Sequence, residues 1–449
     1  MRRRVQWLVM MLTIVVCSWF VLWPTVEVAW LVYGTRLSQG EAPDSAYRWH
    51  RRLSDRFGPW ARARIESGRA GDLGVDDIAG TEWPIFGAVF FLWSSESLQA
   101  QWSESDRREP EPALYARDAL IAAADLIADP GHAHWVRMHW GDDYLDRENL
   151  FYRMLLIGGL DSFEALTGDR RHHAILSDQV QSLAAELDQS PHGLLDDYPG
   201  QCYPVDVLMA YAVIARAQRR MGLDASGFVE RGWRAFSGDR LDPQTGLPAY
   251  SVDARTGAKL DGSRGVGQSV MLTFASELWP DRARVWYGRY VERHWQSLFG
   301  MEGFREFAPD QRQVDPFMFE IDAGPVVFGF GTAASAFGLG AARTIGANRQ
   351  SVPLMAEAVL GAWPLPNGTL LGPRLLSSLS DAPYLGEAAL LFNMTRRSLQ
   401  GGTAVEQVAI PRSVPVALTL VFCFGLWTIR RAVVRYQAVC RRLSDASRT

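Results

Sequence analysis

The chain has 449 residues, of which 48% are hydrophobic and 21% charged, and a net charge of −4. That composition excludes a disordered or collagen-like chain, and the acidic balance leaves no basic footprint for nucleic acid. Four cysteines over this length do not make a disulfide scaffold, and the apolar residues are not gathered into the many long runs of a polytopic membrane protein.

The first element is an uncharged apolar run over residues 5–23, preceded by Arg2, Arg3 and Arg4. It is about long enough to cross a hydrocarbon core, and no small-x-small cleavage site follows it. An uncleaved anchor is therefore expected, with a cleaved signal peptide as the competing reading. A second apolar run lies between Arg412 and Arg430, and Arg431, Arg435, Arg441 and Arg442 follow. The positive-inside rule places both termini in the cytoplasm. The expected organisation is thus an arginine cluster and anchor over residues 1–33, an extracytoplasmic domain over 34–410, and a second membrane helix with a basic tail over 411–449. In a two-membrane bacterium the anchors sit in the inner membrane and the domain in the periplasm. The apolar run at 83–93 is too short to span, so a buried helix is expected there. Cys202 is the one cysteine placed outside the membrane and the cytoplasm.

Between the anchors, strand signals are scarce and helical periodicity is common. One pattern recurs about every 55–65 residues: a loop rich in Gly, Pro, Asp and aromatics, then a very apolar helix with small residues. The apolar helices start near Glu82, Arg147, Tyr203, Gly265, Asp322 and Tyr384. More charged, amphipathic helices lie between them, near residues 45–65, 113–128, 171–188, 225–236, 282–299 and 352–361. Helices apolar nearly all round must be buried, and small residues let them approach closely. Six such pairs predict an all-α (α/α)6 toroid, with an open α-solenoid as the competing architecture. Gly329, Gly331, Gly338 and Gly340 are expected inside one inner helix as close-packing positions.

The loops before the inner helices carry the candidate chemistry. The second loop offers His139, Trp140, Asp142 and Asp143, with Tyr152 and Arg153 following. The third offers Asp197, Tyr198, Cys202, Tyr203 and Asp206. The fourth offers Tyr250, and the fifth Glu306, Asp315, Phe317 and Glu320. Aromatic faces stack on sugars, while glycosidic cleavage needs one carboxyl acid and a second carboxylate acting as base or nucleophile. A carboxyl in an apolar funnel has a raised pKa, which suits the acid role. Asp142, Asp143, Asp197, Cys202, Glu306 and Asp315 are therefore the expected catalytic candidates, and the remainder substrate-binding. Asp206 and Asp322 could equally be helix caps. Asp142, Asp143 and Asp146 also spell a D-D-x-x-D pattern that can hold magnesium, but no second acidic helix accompanies it. No zinc pattern, Gly-rich phosphate loop or G-x-S-x-G elbow stands out, so no cofactor and no metal are expected.

The stretch from Tyr198 through Gln201-Cys202-Tyr203-Pro204 to Asp206, running into an apolar inner helix, resembles the linalool dehydratase/isomerase family. The segment from Glu320 to Arg343 looks like a companion block in membrane-anchored relatives. The resemblance implies an (α/α)6 toroid and cofactor-free acid/base chemistry on a small alkenol, with Cys202 matching the family's first cysteine and Pro204 its proline. The family's second cysteine falls here on Tyr211, which puts a paired-thiol mechanism in doubt. Many glycoside hydrolases and polysaccharide lyases share that fold, so the fold alone does not choose. The first expectation is a membrane-anchored periplasmic enzyme acting on a glycan. A hydro-lyase or isomerase acting on an alkenol is the second. A non-catalytic ectodomain that binds a glycan or an envelope-assembly partner is the third.

Overall fold

The computed structural model describes residues 2–34, 42–102, 110–311, 317–320, 322–399 and 408–445, and it is mostly helical. The chain begins with α1 (Arg2–Cys17), a π-helical turn (Ser18–Leu22) and α2 (Trp23–Tyr33), which follow one another without a break. The π turn falls just before Pro24, whose missing N–H interrupts the hydrogen-bond ladder there. The C-terminal helix spans Ser413–Asp445. Arg3–Tyr33 and Ser413–Arg442 are both long and apolar enough to cross a membrane, by length and composition. The two pack on each other, and a Cβ at Gly425 would lie 2.9 Å from the Leu22 side chain.

Between them the expected alternation is present. The amphipathic helices are α3 (Ser45–Glu66), α5 (Arg117–Ala128), α7 (His173–Gln189), α9 (Ser226–Gly232), α11 (Pro280–His294) and α13 (Asn348–Ala362). The apolar ones are α4 (Ile78–Gln101), α6 (Leu150–Thr167), α8 (Pro204–Arg220), α10 (Gly265–Leu278), α12 (Thr332–Ile345) and α15 (Leu385–Thr395). A short α14 (Leu371–Ser377) precedes the last of these, and the C-terminal helix is α16. The apolar helices pack in chain order, α4 on α6, α6 on α8, α8 on α10, α10 on α12 and α12 on α15, and α15 packs back on α4. Aromatic rings fill the space they share: Phe90 meets Phe337 and Phe392, each at 5.5 Å, and Trp93 meets Phe274 at 5.3 Å. The 83–93 run lies within buried α4, as its length and flanking acids predict.

Small residues serve close packing at the expected places. A Cβ at Gly338 would meet the Phe304 ring at 2.3 Å, and one at Gly340 would meet Asn393 Oδ1 at 2.1 Å. Two expectations are corrected. The inner helix expected from Asp322 begins only at Thr332, because the preceding chain is a three-stranded antiparallel sheet. Its strands are β3 (Phe317–Glu320), β4 (Gly324–Val327) and β5 (Phe330–Gly331). Gly329 therefore sits in a hairpin turn at φ 81°, and Gly331 ends β5, outside the helix. Likewise, the helix expected over 282–299 stops at His294. The chain then pairs as a hairpin, β1 (Trp295–Leu298) with β2 (Met301–Phe304).

Candidate functional site

Four stretches meet at the N-terminal ends of the apolar helices. The turn 197–201 is closed by a backbone bridge between Tyr198 and Gln201, with Gly200 at φ 77°. Cys202 pairs with Val252, whose N–H donates to the Cys202 carbonyl at 3.0 Å. The Gly265 N–H at the start of α10 donates to the Glu306 carbonyl at 2.7 Å. The Tyr250 hydroxyl donates to Asp322 Oδ2 at 2.5 Å, which ties the fourth loop to the β3–β4 turn. Pro204 opens α8, so Tyr203 rather than an acid sits at its N-cap, and Asp206 lies in the first turn. Neither Asp206 nor Asp322 caps a helix.

This stitching gathers carboxylates: Glu82 on α4, Asp197, Asp206, Glu306, Glu320 and Asp322. Burial pushes the Glu82 carboxyl up to about 7, with the Asp322 charge adding to the shift and a hydrogen bond from Tyr198 opposing it. Burial also raises Glu306 to about 8, although its Oε2 accepts from the Val266 N–H at 3.1 Å. Its Oε1 is buried without a hydrogen-bond partner. Asp206 is raised well above the usual carboxylate range by burial, then by Asp322 and Glu82. Asp197 is raised by burial and by Asp206, although its Oδ2 accepts from the Tyr203 N–H at 2.6 Å. Asp197 Oδ1 is another buried oxygen without a partner. Closely placed buried acids cannot all ionise, so Glu82, Asp197, Asp206 and Glu306 share protons at neutral pH.

Arg264 sits among these acids. It pairs with Asp261 at 2.8 Å and with Glu320, and its guanidinium lies 4.1 Å from the Tyr250 ring centre. A cleft of about 320 Å³ opens beside it, lined by Lys259, Asp261, Phe307 and Gln311 among others. Tyr203 meets Tyr250 edge-on at 5.6 Å. His139 meets Tyr198 edge-on at 5.2 Å, and partial burial lowers its pKa, so its ring is mainly neutral. Cys202 is buried, and burial followed by the Asp197 charge raises its thiol pKa well above the usual value.

The structure therefore brings together Asp197, Tyr198, Cys202, Tyr203, Asp206, Tyr250, Glu306 and Glu320, with His139 at their edge. Other candidates lie apart from this group. Asp142 and Asp143 are exposed, and Asp143 pairs with Arg147 at 2.6 Å. Tyr152 is buried against α5 and donates to the Ile127 carbonyl at 3.1 Å. Arg153 is a buried strut: its Nε donates to Gln179 Oε1 at 2.7 Å and its Nη1 pairs with Glu186 at 2.9 Å. Trp140 packs half-buried on the core. Phe317 points outward on β3, and Asp315 lies outside the described residues. Glu82 is a member that sequence reasoning did not single out as chemical, whereas Arg264 and Asp322 stood in candidate loops, Asp322 with a helix cap as its alternative. One signal for Glu82 was readable: an acid in the second turn of α4, directly before its apolar run over 83–93. Tyr211 faces α9, where it packs on Phe228 at 4.8 Å. A scan against protein-family models finds no match for this chain, and a comparison with curated proteins finds none either.

Proposed function

We propose that this chain is a membrane-anchored enzyme that cleaves a glycan by general acid/base chemistry at the cluster around Glu82. The observation that carries this reading is Glu82 itself: a half-buried carboxyl raised to about 7, hydrogen-bonded by Tyr198 and close to Asp206 and Asp322. A carboxyl with that pKa is protonated in a large fraction of molecules near neutrality and can donate to a leaving oxygen. Asp322 is exposed and held by the Tyr250 hydroxyl, which suits a base or a nucleophile. Tyr203, Tyr250 and His139 supply aromatic faces for sugar rings, and Arg264 a donor for an acidic substituent. Glu306 and Asp197 hold the α8 and α10 starts in place, through the Tyr203 and Val266 N–H groups.

The ring order of the apolar helices, with α15 returning to α4, supports reading the domain as an (α/α)6 toroid. The two long apolar helices support an inner-membrane protein with both termini in the cytoplasm and the domain outside. Full-length protein incubated with envelope glycans from its host tests the function. New reducing ends establish a hydrolase, and unsaturated uronic ends a lyase. Neither product from folded protein refutes the reading.

A second reading has one specific observation in its favour. The Cys202 thiol is held protonated beside Asp197, which fits a proton donor in a hydro-lyase or isomerase acting on an alkenol. Replacing Cys202 with Ala separates the two: the glycan reading keeps most activity, whereas the alkenol reading loses it.

A further inference from the structure

The β1–β2 and β4–β5 hairpins share an unusual feature. Each turns through two residues, Phe299-Gly300 and Phe328-Gly329, and all four have positive φ. That is the type I′ pattern, in which Asn-Gly or Gly-Gly is normal at the tip. A phenylalanine there is a strained choice, and it occurs at both tips. The two tip rings meet at 5.3 Å, and Phe328 also meets Phe317 at 4.7 Å. Phe299 is 73% exposed, and Phe319, on the same strand as Phe317, is 72% exposed, so the strained tips and β3 present solvent-facing aromatics. Patches of this kind mark a contact surface.

The occupant follows from what adjoins the patch. The Ser413 N–H, at the start of α16, donates to the Gly300 carbonyl at 3.0 Å. The aromatic tips thus stand beside the point where the C-terminal apolar helix leaves the domain. The domain also touches the N-terminal apolar helix, where the Trp363 indole donates to the Phe20 carbonyl at 2.8 Å. The segment after Trp363 exposes Leu375, Leu376 and Leu379, the last at 89%.

We infer that the two hairpin tips, with β3, sit in the interfacial layer of the same bilayer that α1 and α16 cross. Phenylalanine presented by a surface element buries into the boundary between headgroups and acyl chains, and a patch fixed beside a membrane helix has a lipid surface within reach. β3 alternates along its length. Phe317 and Phe319 face outward, while Met318 packs on the small cluster of Val266, Ala323 and Val326, and Glu320 pairs with Arg264. One strand thus presents aromatics to lipid on one face and closes the acidic cluster with the other, so the cluster lies next to the membrane surface.

This inference rests on the helices being anchors, and the test separates the two. Full-length protein is placed in nanodiscs of phosphatidylcholine and phosphatidylglycerol containing a nitroxide-labelled phosphatidylcholine. Bimane on native Cys423, in a Cys440→Ala chain, reports anchoring alone. Bimane on Phe319→Cys and on Val327→Cys, each with Cys423→Ala and Cys440→Ala, reports the patch. Bimane on Leu223→Cys in that background, just beyond the opposite end of α8, is the reference. The inference expects quenching at Cys423 and at least twofold stronger quenching at 319 and 327 than at 223. Quenching at Cys423 with 319 and 327 no more quenched than 223 overturns it. An unquenched Cys423 overturns the anchor reading as well.

Discussion

Each buried acid of the cluster makes a separate claim. Glu82→Gln should lower turnover by about 10²–10⁴-fold, the usual worth of a positioned acid or base, with the fold unchanged by circular dichroism. Glu306 predicts a pH effect on stability. Its folded pKa is about 8, whereas an unfolded glutamate ionises near 4.3. Between those values the folded state binds more protons, so its contribution to stability is full at low pH and is lost as pH rises to about 8. Melting temperature should fall from pH 5 to pH 8 in the parent, and fall less in Glu306→Gln. An equal slope in the two proteins would remove Glu306 as the cause. Arg153, expected from sequence to bind substrate, predicts a different outcome. Arg153→Met strands Glu186 and Gln179 and should cost about 3–5 kcal/mol of stability, read by denaturant titration, while kcat per folded molecule is kept.

Among the elements, what the sequence revealed depended on length. Helices of 14 to 24 residues, such as α10 and α4, showed their periodicity and their small residues plainly. The strands are four residues or fewer, too short for alternation to register against a helical reading. Their signal was the doubled Phe-Gly step, which reads as helix packing unless positive φ is known. The small residues of α12 were read correctly for packing, and Gly338 makes that testable. A Gly338→Ala methyl would press on the Phe304 ring and should cost about 1–3 kcal/mol by overpacking. A neutral result would mean that β2 can shift away.

For the chain as a unit, the N-terminal apolar helix is also part of the domain. Val28 and Val32 of α2 are fully or nearly fully buried, and α2 packs on α13. A protein cut to begin at residue 34 should therefore melt lower than one beginning at residue 24, by differential scanning fluorimetry in the same detergent. The two terminal apolar runs were legible as long helices because their length and hydropathy stand out in the chain. The acidic cluster was only half legible. The third and fifth loops declared their acids by composition, but Glu82, Asp206 and Asp322 come from separate stretches and become one site only through the packing of α4, α8 and the β3–β4 turn. Asp142 and Asp143 looked equally suitable in sequence, and what separates them is burial, set by contacts far along the chain.

Turnover by the parent protein and by Glu82→Gln, measured side by side in nanodiscs on host envelope glycans, tests the Glu82 cluster most directly. The expected result is new reducing or unsaturated ends with the parent and a loss of at least a hundredfold with Glu82→Gln at equal folding. Glu82→Gln turning over like the parent would contradict it.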